Sequence, residues 1–108
     1  MELYHSTDAD GISILNPDTQ QMRALLESLD DPDIQEPDHP DVSLIHDPSG
    51  WVVSVYPGGT VTLENLNEAD EPPRYMRQVS QQDCLKMWLD LSRGRIAPLQ
   101  ARAWQRDA

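Results

Sequence analysis

Apolar positions recur along this chain with two different periods, and the change of period marks its organisation. Met22, Leu25, Leu26 and Leu29 fall at i, i+3, i+4 and i+7, one stripe of an amphipathic helix. Asn16-Pro17 precedes the stripe: Asn16 suits the N-cap, Pro17 suits the first helical position, and Asp18 favours the positive helix end. This pattern predicts a helix over 17–29. A second stripe, Leu85, Trp88, Leu89 and Ser92 with Cys84 and Leu91 beside it, predicts a helix over 80–93. Ser80 is placed to cap it and Asp83 to complete a capping box. Val79 and Cys84 can form the hydrophobic staple, and Gly94 fits the left-handed C-cap.

Between these helices the period falls to two. Val42–His46, Trp51–Tyr56 and Thr60–Leu66 read as strands, rich in β-branched and aromatic residues. Asp47-Pro48-Ser49-Gly50 and Pro57-Gly58-Gly59 supply turn chemistry, so the strands form an antiparallel meander. Ile12–Leu15 reads as a further strand and Arg74–Arg77 as an optional fourth member of the meander. The order is β-α-β-β-β-(β)-α. It predicts an α+β fold: an antiparallel sheet of three to five strands with two helices packed on one face. Residues 1–10 are expected to form a frayed arm or a short edge strand, and 105–108 to fray. Trp104 is expected to fold back onto the sheet or the first helix, because a lone exposed tryptophan is uncommon.

Length limits the chain of 108 residues to one domain. Charge changes the picture more. Nineteen acids against eight Lys and Arg give a net charge of −11. Residues 1–73 carry sixteen acids and one base, a charge of −15, whereas residues 74–108 carry three acids and seven bases, a charge of +4. One reading is internal: the basic C-terminal segment lies near acidic loops and the remaining charge is solvated. The other is an acidic patch that docks a basic partner. The acids concentrate in a loop over 30–41, with six acids and three prolines, and in a second loop at Glu68-Asp70-Glu71. Nucleic acid and anionic lipid are excluded as nonspecific partners, since both need a positive footprint. No apolar run is long enough to span a membrane, and the first residues lack a signal-peptide pattern. A cytoplasmic location is therefore expected.

Little of the sequence points to catalysis. Cys84 lies on an apolar helical side with no neighbouring base, as a structural cysteine does. His5, His39 and His46 lack metal-ligand spacing. Asp30, Asp31 and Asp33 suggest a hard-cation site, but the loop has neither the glycine nor the terminal glutamate of an EF-hand. Tyr56-Pro57-Gly58-Gly59-Thr60 precedes a strand rather than a helix, so no helix dipole backs it as a phosphate loop. The arginines at 74, 77, 93, 95, 102 and 106 suit internal pairing or a protein interface. No catalytic residue, cofactor or metal is assigned, and the chain is read as a non-enzyme.

The capped helix at Asn16-Pro17, the strand pair around Gly50-Trp51 and Pro57-Gly58-Gly59, and the tryptophan-bearing helix Cys84-Leu85-Lys86-Met87-Trp88 carry a resemblance. Over residues 12–93 the layout is similar to small immunity proteins of bacterial polymorphic-toxin systems, the Imm1-like group. The resemblance implies tight, stoichiometric binding of a toxin domain, without catalysis. The leading expectation is a module that binds a basic protein through Asp30, Asp31, Asp33, Glu36, Asp38, Asp41, Glu68, Asp70 and Glu71, with Trp51 and Tyr56 as aromatic anchors or core residues. The alternatives are a small enzyme or metal-responsive regulator using the acidic loop with His39 or His46, and a structural subunit joined through its basic C-terminal segment. Homo-oligomerisation through the opposite charges of the two segments is a further expectation that one sequence does not resolve.

Overall fold

The computed structural model describes residues 3–8, 12–28, 41–56, 59–67, 73–102 and 104–106. Along the chain these form β1 (Tyr4–Thr7), β2 (Ser13–Leu15), α1 (Thr19–Ser28), β3 (Val42–His46), β4 (Trp51–Val55), β5 (Val61–Asn65), β6 (Arg74–Met76), α2 (Gln81–Ser92), α3 (Ile96–Gln100) and β7 (Gln105–Arg106). The fold is α+β. The Cα radius of gyration is 13.0 Å.

All seven strands join one antiparallel sheet in the order β2-β1-β3-β4-β5-β6-β7. The expectation of three to five strands is therefore too low. Two of the additional strands are β7, only two residues long, and β1, in the stretch read as a frayed arm or an edge. In fact β1 is interior: it pairs with β2 on one side and with β3 on the other. Its sequence Tyr-His-Ser-Thr carries no apolar alternation. What places it is the side its residues present. Ser6 is fully buried opposite Leu44, and Tyr4 packs against the core.

Helix α1 begins later than Asn16-Pro17 suggested. The Asn16 side-chain oxygen instead accepts from the Tyr4 backbone N–H at 3.0 Å, and Asn16 N–H donates to Tyr4 O at 2.7 Å. With φ of +49°, Asn16 closes the β2 end and cannot open a helix. The cap passes to Asp18, whose carboxylate accepts from Gln21 N–H at 2.8 Å while the Gln21 side chain accepts from Asp18 N–H at 2.9 Å. This is a capping box, two orphan donors satisfied reciprocally. Met22 and Leu26 are the fully buried members of the stripe; Leu29 lies outside the described residues.

Helix α2 follows its sequence closely. Ser80 Oγ accepts from Asp83 N–H at 3.1 Å. At the other end Gly94 N–H donates to Leu91 O at 3.0 Å and Arg95 N–H to Asp90 O at 2.9 Å. That pair of bonds is a Schellman motif, which needs a left-handed residue; Gly94, at φ +71°, supplies it without a Cβ clash. Cys84, Met87, Trp88 and Leu91 face the sheet. The Trp88 indole N–H donates to Val53 O on β4 at 3.1 Å, tying the helix to the middle strand of the sheet.

Both long helices cover the same side of the sheet. One hydrophobic cluster joins Met22 and Leu26 of α1 and the buried face of α2 to Val42, Leu44, Val53, Val55, Val61 and Leu63. Leu99 of α3 completes it, and Trp104 packs at its margin with its indole N–H on Leu99 O at 2.7 Å. Trp104 thus folds back through α3.

Candidate binding face of the sheet

Side chains alternate across a strand, so the sheet's second side is set by the same register that buries the first. No described helix covers it, but Val52 and Ser54 at its centre are buried. Three rows of residues cross it. In the first, Leu15, His5, Ile45, Val52 and Glu64 lie in register across β2, β1, β3, β4 and β5. The second is Ser13, Thr7, Ser43, Ser54, Thr62, Tyr75 and Gln105, one residue from each strand. Six of those seven carry a hydroxyl. Thr7 and Ser13 already share a hydrogen bond at 3.3 Å. The third row continues the ladders beyond the strand ends: Tyr56 N–H donates to Thr60 O at 2.8 Å, which brings Tyr56, Thr60 and Arg77 to one end of the face.

Between the second and third rows lies a cavity of about 420 Å³ lined by Tyr56, Thr60, Thr62, Tyr75 and Arg77, with Pro73 and Arg74 where β6 begins. The Arg77 guanidinium sits over the Tyr75 ring, 5.4 Å from its centroid, a cation–π contact. Burial, with the carboxylates of Asp41 and Glu64, pushes the Tyr56 phenol above its ordinary pKa, and a hydrogen bond with Thr62 partly opposes this. Tyr56 therefore keeps its proton at neutral pH and can both donate and accept. Both signs of charge reach this site: Arg77 lines it, and Asp41 and Glu64 act on it.

The residues proposed from sequence as partner contacts fall in three places. Asp30, Asp31, Asp33, Glu36, Asp38, Glu68, Asp70 and Glu71 lie outside the described residues. Asp41 stands half-buried just before β3, and Tyr56 lines the cavity on the second side of the sheet. Trp51 turns the other way and packs against the core. Sequence reading picked out Tyr56 but not Tyr75 or the hydroxyl row. Ser43, Ser54 and Thr62 were each visible as a polar position between apolar ones. Their alignment depends on strand register, which no single strand reveals.

Other candidate chemistry finds little support in the geometry. Cys84 is buried, and burial followed by the neighbouring Asp83 raises its thiol pKa to about 11 despite Arg102 nearby. It is a poor nucleophile at neutral pH. His46 is buried with Nδ1 2.7 Å from Ser49 Oγ, and His5 Nδ1 pairs with the Asp47 carboxylate at 3.1 Å. His39 lies outside the described residues. Among the described residues no cluster of three or more histidine, cysteine or acidic side chains is arranged to hold a metal ion. No described helix is long and apolar enough to cross a membrane. Between described side chains the one contact of ion-pair length is His5–Asp47, which is charged on both sides only when the imidazole is protonated. Arg23, Lys86, Arg93 and Arg95 form none with a described acid.

Comparison with protein-family models, with characterised proteins and with solved structures finds no match to this chain.

Proposed function

We propose that this protein is an acidic protein-binding module that sequesters a basic protein, with a cationic toxin domain as the partner that the resemblance to immunity proteins implies. The observation that carries the reading is the charge, −11 over the chain. The internal alternative needs the C-terminal bases to neutralise acids, and among the described residues Lys86, Arg93 and Arg95 do not. An excess of one sign accelerates encounter with a partner of the other and makes capture sensitive to salt. The acidic stretches at 30–41 and 68–71 are the contact surface in this reading. Asp41 and Tyr56 mark where the first of them meets the sheet.

The test is affinity capture from the native host's lysate at low and moderate salt, beside a variant with Asp31, Asp33 and Asp38 changed to lysine. The expected result is one abundant basic protein, weakened by salt and by the reversal, while the variant's circular dichroism and melting stay those of the parent. Capture unchanged by the reversal moves the contact away from 30–41. Absence of any basic partner at either salt overturns the reading.

A further inference from the structure

We propose that the cavity beside Tyr56 and Tyr75 is a binding site for the end unit of a neutral oligosaccharide. The inference is independent of the protein-binding reading.

Each class of ligand asks something different of a cavity. A polyanion such as nucleic acid meets a chain of net charge −11 and is repelled before it arrives. A cation meets Arg77 in the wall. A purely apolar ligand would desolvate the hydroxyls of Thr60, Thr62 and Tyr56 without replacing their hydrogen bonds. A sugar suits all of these groups. Its hydroxyls both donate and accept, which matches Thr60, Thr62 and the protonated Tyr56 phenol. Its ring carries C–H faces that pack on phenol rings, and Tyr56 and Tyr75 supply two. Arg77 offers fixed donors, and its place over the Tyr75 ring at 5.4 Å braces that side chain. The opposing charges of Arg77 and of Asp41 and Glu64 leave no strong field of one sign for an uncharged ligand to disturb.

The cavity, at about 420 Å³, has the size of a small-molecule site. Thr62 and Tyr75 belong to the row that continues through Ser54, Ser43 and Thr7 to Ser13. Neighbouring members stand one strand spacing apart, about 4.8 Å, a step close to the length of one pyranose residue. A sugar unit seated at Tyr56 therefore meets the hydroxyls of Thr60, Thr62 and Tyr75, and the row beyond them runs into the buried Ser54.

The test is a titration of the ¹⁵N-labelled protein with cellohexaose, maltohexaose, xylohexaose and chitohexaose, followed by amide shifts and calorimetry. At least one is expected to bind with a Kd below about 1 mM, with shifts at Tyr56, Thr60, Thr62 and Tyr75, and with an affinity insensitive to salt. Tyr56→Ala and Tyr75→Ala should each weaken it about ten-fold or more. Tyr56→Phe, which keeps the ring and disturbs the fold least, should weaken it about two- to five-fold through the lost hydroxyl. No binding across the four sugars at about 10 mM overturns the proposal. So does binding that maps to the helical side, or that survives both alanine variants in folded protein.

Discussion

Replacing Trp88 with phenylalanine isolates the link between α2 and the sheet. Trp88 has no exposed surface, and its indole N–H is bonded to Val53 O at 3.1 Å. The substitution removes that donor, worth about 1 kcal/mol net. It also leaves a space of about 40 Å³, which at about 24 cal/mol per Å³ adds about 1 kcal/mol. The expected loss is therefore about 2 kcal/mol, out of a total stability of about 5–15 kcal/mol for a chain of this size. At about 4–8 °C per kcal/mol, Tm should fall by about 8–16 °C. Urea unfolding followed by far-UV circular dichroism measures the change, with a common m-value showing that the unfolded state is unaltered. Fluorescence gives a second readout. Trp51 and Trp104 are only half-buried, so removing the fully enclosed indole should shift the native emission to longer wavelength. A loss below about 0.5 kcal/mol, the range of ordinary surface substitutions, together with unshifted emission, would refute the anchoring role assigned to Trp88.

Two further expectations concern the turn before β4 and the buried thiol. Gly50 has φ of +78°, and a Cβ there would lie 2.5 Å from Asn67 Nδ2; Gly50→Ala should lower stability by about 1–2 kcal/mol in thermal unfolding, and adding Asn67→Ala should restore part of it by relieving the clash. Cys84 should resist a thiol reagent at pH 8 in the native protein and react on denaturation. Its folded pKa of about 11 lies above the ordinary value of 9.0, so the folded state holds the proton more tightly, and this contribution is complete below about pH 9 and lost as pH rises towards 11. Alkaline melting curves should accordingly flatten in Cys84→Ala relative to the parent.

Features set by neighbouring residues were legible in the sequence, and features set by distant ones were not. Ser80 caps α2 and Gly94 ends it because each acts within a few residues, through the Asp83 N–H and the Schellman bonds. The β3-β4-β5 meander was legible because its turns are short and chemically marked. Asn16 misled because its cap-like side chain is engaged twelve residues away, by the Tyr4 backbone. On the second side of the sheet Tyr56 announced itself as an aromatic residue beside a turn. The hydroxyl row did not, since Thr7, Ser43 and Thr62 become neighbours only once three separate registers are fixed.

The interior place of β1 bears on how the chain is made. During synthesis residues 4–7 leave the ribosome well before their partners on β3, residues 43–46. At about 5–20 residues per second, β1 waits some seconds with only the β2 hairpin to hold it. A two-strand hairpin is marginal in water, so the nascent segment stays available to chaperones or to a wrong edge until β3 emerges. The same topology governs engineering: trimming through residue 8 would remove a strand from inside the sheet and turn β3 into an unprotected edge, with the aggregation hazard that such edges bring.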